Sequence, residues 1–294
     1  MTPKEFFHFP LTKIIIGIAA VVGSVALVEW TKGLWLPQSS TTGSQPASDV
    51  PDLLFGLADT VLAVSAYVLL FRWYEQRKIK ELSAATLLRN ATLGLLTGLA
   101  IQSLVILLIE RGGGYRIIRS NPVSFLLPGL TAALVAGFVA EIILRGVIFR
   151  VIEEKWGSVV ALVVMALLFG VMHAGKGATV LSVTSTVLQA GVLYSAVYMY
   201  SRSLWFPIFL HFGWDLAQPG IYGAVNPGIN IDKTLLESRI TGPEWLTGGA
   251  FGPCHSLPAT ILCLLAALLF LWLARRKGNF IGLTPYGSRN TSKG

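Results

Sequence analysis

Eight apolar stretches, at Ile14–Val28, Leu53–Phe71, Ala91–Ile109, Val123–Phe149, Ser158–Met172, Ala178–Tyr200, Leu204–Ala217 and Thr260–Leu273, limit what this chain can fold into more than any other feature. A helix needs roughly 20 apolar residues to cross the hydrocarbon of a bilayer, and fewer where neighbouring helices shield it. Hydrophobic residues make up 53% of the chain and charged ones 13%, the charges gathering in short clusters between the stretches. The sequence therefore predicts an all-α, polytopic transmembrane helix bundle of about eight spans, one integral-membrane domain over 1–294.

Orientation follows from Lys and Arg, because positive loops stay cytoplasmic. With the N-terminus inside, the inner side takes the clusters Arg72–Lys80, Arg150–Lys155 and Arg275–Lys277 together with Lys4, Lys13, Arg89, Arg202, Arg289 and Lys293. The outer side takes Lys32, Arg111, Arg116, Arg119, Lys176, Lys233 and Arg239. The bias is about two to one, and it predicts a multi-pass protein with both termini cytoplasmic. It also explains the net charge of +8 without nucleic acid, since "RWYEQRKIKEL" can lie against anionic headgroups and makes membrane lipid the partner. The first stretch lacks a small-residue cleavage site and precedes seven more, so it reads as an uncleaved anchor.

Between the stretches lie a polar connector, Pro37–Asp52, an outer connector over 218–256 with Tyr222, Trp245 and Phe251, and a mobile tail over 278–294. Cys254 and Cys263 suggest neither a disulfide framework nor a metal cluster. There is no internal repeat, no Gly-rich phosphate loop, no G-x-S-x-G elbow and no H-E-x-x-H pair.

Five polar residues break the apolar pattern. "VAEIILRGVIFR" holds Glu141 and Arg145, "LLFGVMHAGKG" ends on His173, and "SLWFPIFLHFGWDLAQ" holds His211 and Asp215. A charge at mid-bilayer costs at least ~2.5 kcal/mol on insertion scales. Residues four apart on a helix lie about 40° apart around its axis, so Glu141 can pair with Arg145 and His211 with Asp215. A structural ion pair is the plain reading of the first pair. Measured from Arg150 for the first, Arg202 for the next two and Trp156 for the last, Glu141 and His211 lie roughly 14 Å deep, Asp215 roughly 20 Å and His173 roughly 25 Å, at ~1.5 Å per residue. These depths allow one internal cavity. Such a set can activate water and stabilise an oxyanion for peptide hydrolysis, hold a metal, or relay protons in a transporter.

Three ordered motifs resemble the CPBP intramembrane proteases, also called the Abi or CAAX-protease type II family: "AEIILRG" (140–146), "FGVMH" from Phe169 to His173, and "HFGWD" from His211 to Asp215. The resemblance runs from Phe138 to Asp215 and implies a catalytic core, 123–217, within an eight-helix-type bundle. It implies a metal-independent, cofactor-free peptidase acting on a membrane-associated peptide or lipidated protein, prenylated C-a-a-X tails among them. Carried over, the catalytic residues are Glu141, His173, His211 and Asp215: His173 helps activate water and His211 with Asp215 forms the oxyanion side. Arg145 would partner Glu141 and Phe169 completes the second motif. The chain departs from the family where a doubled glutamate becomes Ala140-Glu141, and where asparagine becomes Asp215. Three outcomes stay open: Glu141 serves as base, His173 acts alone, or the chain is a non-catalytic scaffold or immunity protein.

Overall fold

The computed structural model describes residues 9–35, 49–175, 177–226, 229 and 231–282. Residues 37–48 of the polar connector, Lys4, Lys176 and the tail from 283 onward lie outside the described residues.

The apolar stretches form helices: α1, Pro10–Trp35; α2, Asp49–Tyr74; α3, Ala84–Arg111; α4, Leu126–Glu141, which runs on as a π-helical stretch, Ile142–Phe149; α5, Arg150–His173; α6, Val180–Ser201; α7, Trp205–Asp215, with a π-helical continuation Leu216–Ile221; and α8, Leu257–Arg276. Six runs are long and apolar enough to cross a membrane. One of them, Val123–His173, is 51 residues long and breaks at Gly157, which takes φ 84° and ψ 168°. Arg145 and Phe169 lie on opposite sides of that break and 24 residues apart in sequence, yet the Arg145 guanidinium sits 5.5 Å from the Phe169 ring. An unbroken helix would hold them roughly 36 Å apart. The chain therefore doubles back at Gly157, and this run supplies two antiparallel spans. Glycine suits the positive φ, and a Cβ there would lie 2.8 Å from the Ile281 carbonyl oxygen.

Helix α7, 11 residues with a continuation of 6, is too short to be among the six, and it is also enclosed by the rest of the protein. Phe206, Ile208, Leu210 and Trp214 are all buried, as are Ala217 and Gln218 beyond it. Small residues let its neighbours approach this closely. A Cβ on Gly98 of α3 would lie 2.2 Å from the Leu210 carbonyl, and one on Gly94 2.4 Å from that of Phe206. From the other side, Gly137 of α4 stands against the Ile208 carbonyl. We expect Gly98→Ala to push α3 off α7 and to cost about 1–3 kcal/mol, as overpacking does. An unchanged unfolding temperature in detergent would refute this close fit.

The helical pattern has one addition. Strands β1, Tyr115–Ser120, and β2, Leu236–Ile240, pair antiparallel at the end of the bundle where α3 finishes. Spacing in the outer connector carried no sign of a strand, since β2 depends on a partner more than a hundred residues away.

At the opposite end an ionic network ties the helices together. Glu75 meets Lys13, Arg77 and Arg150, and Glu81 meets Arg77 and the Tyr67 hydroxyl. The start of the expected mobile tail is held here too: Asn279 donates to the carbonyls of Met199 and Tyr200, and Ile281 exchanges hydrogen bonds with Ser158. Burial alone would raise both carboxyl pKa values. The cations outweigh it, Arg150 and Lys13 at Glu75 and Arg77 at Glu81, and hold both below the usual range. A lowered folded-state pKa gives stability that is present above the unfolded value, about 4.3, and lost as pH falls through the folded one. The unfolding temperature should hold steady down to about pH 5 and then fall. In Glu75→Gln/Glu81→Gln that acid-side slope should be shallower; an identical slope would remove these two groups from the explanation.

Candidate active site

Glu141 is the last residue of the α-helical part of α4, and Arg145 lies in the π-helical stretch that follows. Both side chains are fully buried, with Arg145 Nη1 donating to Glu141 Oε1 at 3.1 Å. Nη2 donates to the Ala190 carbonyl on α6. The guanidinium plane has the rings of Phe169 and Tyr194 each 5.5 Å away, so cation–π attraction replaces part of the lost hydration. Arg145 thereby joins α4, α5 and α6.

The close approach of Gly137 to Ile208 decides what Glu141 meets next. One turn further along both helices, His211 Nδ1 lies 2.9 Å from Glu141 Oε1, while its Nε2 lies 3.2 Å from Asp215 Oδ2. An imidazole with a carboxylate oxygen at each nitrogen donates to both only when doubly protonated. Two carboxylates, one guanidinium and one imidazolium then sum to zero charge. Asn226 Nδ2 donates to the other Asp215 oxygen at 2.9 Å. Glu141 Oε2 is buried with no hydrogen-bond partner among the described residues.

Beside this chain of charges lies a cavity of about 260 Å³. Phe169, His173, Tyr194, His211 and Asp215 line it, while neither Ala140 nor Glu141 does. Of the sequence candidates, then, three polar side chains face the open space, and Glu141 and Arg145 stand behind them. His173 Nδ1 is 3.0 Å from the Phe169 carbonyl, its ring stacked on that of Phe169. A carbonyl oxygen only accepts, so Nδ1 carries a proton, and in the neutral ring the lone pair is on Nε2.

The cavity also holds residues that the sequence reading passed over: Gln189 and Tyr194 on α6, and Asn226, Cys254 and His255 from the connector between α7 and α8. His255 Nε2 lies 2.9 Å from Thr186 Oγ1. Burial lowers its pKa and pushes the Cys254 thiol up to about 12, so both are neutral near pH 7. Cys254 and Cys263 are both free and buried. "PCHSLP" just ahead of the last span was the available signal, a histidine and a thiol at the mouth of an apolar run. No comparable signal marks Asn226, whose position depends on how the connector folds back. Among the described residues no three His, Cys, Asp or Glu side chains converge as a metal site.

No curated protein and no solved structure matches this chain. One family model does, over residues 122–217, which run from the approach to α4 to just past Asp215 and so contain Glu141, Arg145, Phe169, His173, His211 and Asp215 together. That family, the one the three motifs resemble, is Rce1-like, the type II CAAX prenyl endopeptidases.

Proposed function

We propose that the chain is an intramembrane peptidase that hydrolyses a peptide bond of a membrane-associated substrate, with His173 as the base. The observation that carries this is the fixed tautomer of His173: Nδ1 is committed to the Phe169 carbonyl, which leaves Nε2 free in a cavity shared with His211 and Asp215. In this mechanism Nε2 takes a proton from water as the water oxygen bonds to the peptide carbonyl carbon. The negative charge that moves onto the carbonyl oxygen is met by the positive charge of the His211 ring acting through space, since its two N–H groups go to Glu141 and Asp215. His173 then returns its proton to the leaving amine as the C–N bond breaks. The Asp215 carboxylate repels the oxyanion less than a bare one would, because the His211 imidazolium offsets its charge and the Asn226 amide donates to its other oxygen.

Glu141 has a different task here. With one oxygen committed to Arg145 and His211, it holds His211 charged and oriented. Ala140 favours a second reading, a non-catalytic relative that binds peptides in the same cavity, since the family's first glutamate has no counterpart.

The test is cleavage by the purified protein in liposomes, against a peptide panel that includes farnesylated C-a-a-X peptides, with and without a chelator. A single mapped cut that survives the chelator and disappears in His173→Ala is expected. A folded, monodisperse protein that cuts nothing favours the second reading.

A further inference from the structure

We propose that the cavity opens on the outer side of the membrane, so that its substrate is a peptide presented there, on a secreted or outer-leaflet-anchored chain, rather than a cytosolic tail. This rests on the peptidase reading for the substrate but not for the sidedness.

Two independent features of the fold point the same way. The first is where the cavity lies along the bundle. His173 is the last residue of α5, and Asn226, Ile229, Cys254 and His255 all belong to the connector between α7 and α8. The mouth is therefore built from loops at the end that also carries the β1–β2 sheet. Measured from the break at Gly157, His173 stands roughly 24 Å along α5, close to the far side of a hydrocarbon core of about 30 Å.

The second feature is charge. The opposite end carries Arg77, Lys78, Lys80, Arg150 and Arg202 around one polar pocket that Glu81, Glu153 and Glu154 also line, with Lys13, Arg72, Arg89, Lys155 and the Arg275–Lys277 cluster on the same side. These sit in short loops, where the positive-inside preference is strongest. The mouth end carries fewer cations among the described residues, Lys32, Arg111, Arg116, Arg119, Lys233 and Arg239, and it is the number of Lys and Arg rather than net charge that sets orientation. The basic end thus stays cytoplasmic and the mouth faces out. A prenylated tail on a cytosolic protein would meet the ionic network of Glu75, Arg77 and Arg150, not His173.

Two exposed positions report the orientation without any need for activity. Cys254 and Cys263 are buried, so a thiol placed at Arg239→Cys in β2 or at Lys78→Cys can be read against a low background. With a membrane-impermeant maleimide on intact expressing cells, Arg239→Cys should label at once and Lys78→Cys only after permeabilisation. Labelling of Lys78→Cys in intact cells, or failure of Arg239→Cys to label there, overturns the proposal. A second arm adds an impermeant peptide, taken from the panel above, to sealed right-side-out vesicles. Cleavage outside the vesicles, lost in His173→Ala, is expected, and cleavage only after the membrane is opened overturns the substrate assignment. If the protein cuts nothing even in detergent while the labelling is as expected, the peptidase reading falls and the sidedness stands.

Discussion

His173→Ala is expected to lower turnover of any peptide the protein cleaves by about 10²–10⁴-fold, the usual worth of a positioned general base, while the fold survives. The side chain is half-buried at the end of α5 and makes one hydrogen bond, to its own helix, and one ring contact. Its loss should therefore cost only about 1 kcal/mol of stability. The measurement is kcat and KM beside a thermal unfolding curve on the same preparation. A fall in kcat with an unfolding temperature within a few degrees of the parent's supports the assignment. Activity within tenfold of the parent's would move the base to another cavity group, with His255 the next candidate because it is neutral and faces the same space.

Glu141→Ala should show the reverse signature, a large loss of stability that takes activity with it. Removing one partner of a buried ion pair costs about 3–5 kcal/mol, because the charge left behind has no hydration to return to. Here two partners lose a carboxylate: Arg145, at 3.1 Å, loses its counter-ion, and His211, at 2.9 Å, keeps only Asp215. His211 can relieve part of this by releasing a proton, but Arg145 cannot. The double change Glu141→Leu/Arg145→Met removes the charge and its counter-ion together, and such replacements are often neutral or stabilising. It should unfold at a higher temperature than Glu141→Ala alone. If both variants unfold together at the parent's temperature, the pair contributes no stability and the charge accounting around His211 fails.

What could be read from the sequence divides along a physical line. A charge in an apolar run is expensive wherever the run ends up, so Glu141, Arg145, His211 and Asp215 stood out before any fold was known, and spacing of four residues already implied their pairing along each helix. Bonds between helices have no such local cost. That His211 reaches Glu141 depends on Gly137 and Ile208 meeting, and nothing near either residue announces it. His173 was visible, but its tautomer was not, because that is set by a carbonyl four residues back. Tyr194 and Gln189 are ordinary residues of an apolar span until the cavity exists. The helix α7 was readable as an apolar stretch, whereas its central place in the bundle came from glycines on α3 and α4 rather than from its own composition.

The pairing of charges also bears on how the protein enters the membrane in the first place. Arg145 has its counter-ion four residues earlier on α4, and His211 has Asp215 four residues later on α7. Each helix can therefore leave the translocation machinery as a neutral dipole, without waiting for its neighbour. The contact between Glu141 and His211 is made only when the two meet sideways within the lipid, so the step that completes the reactive cluster is the assembly of already inserted helices.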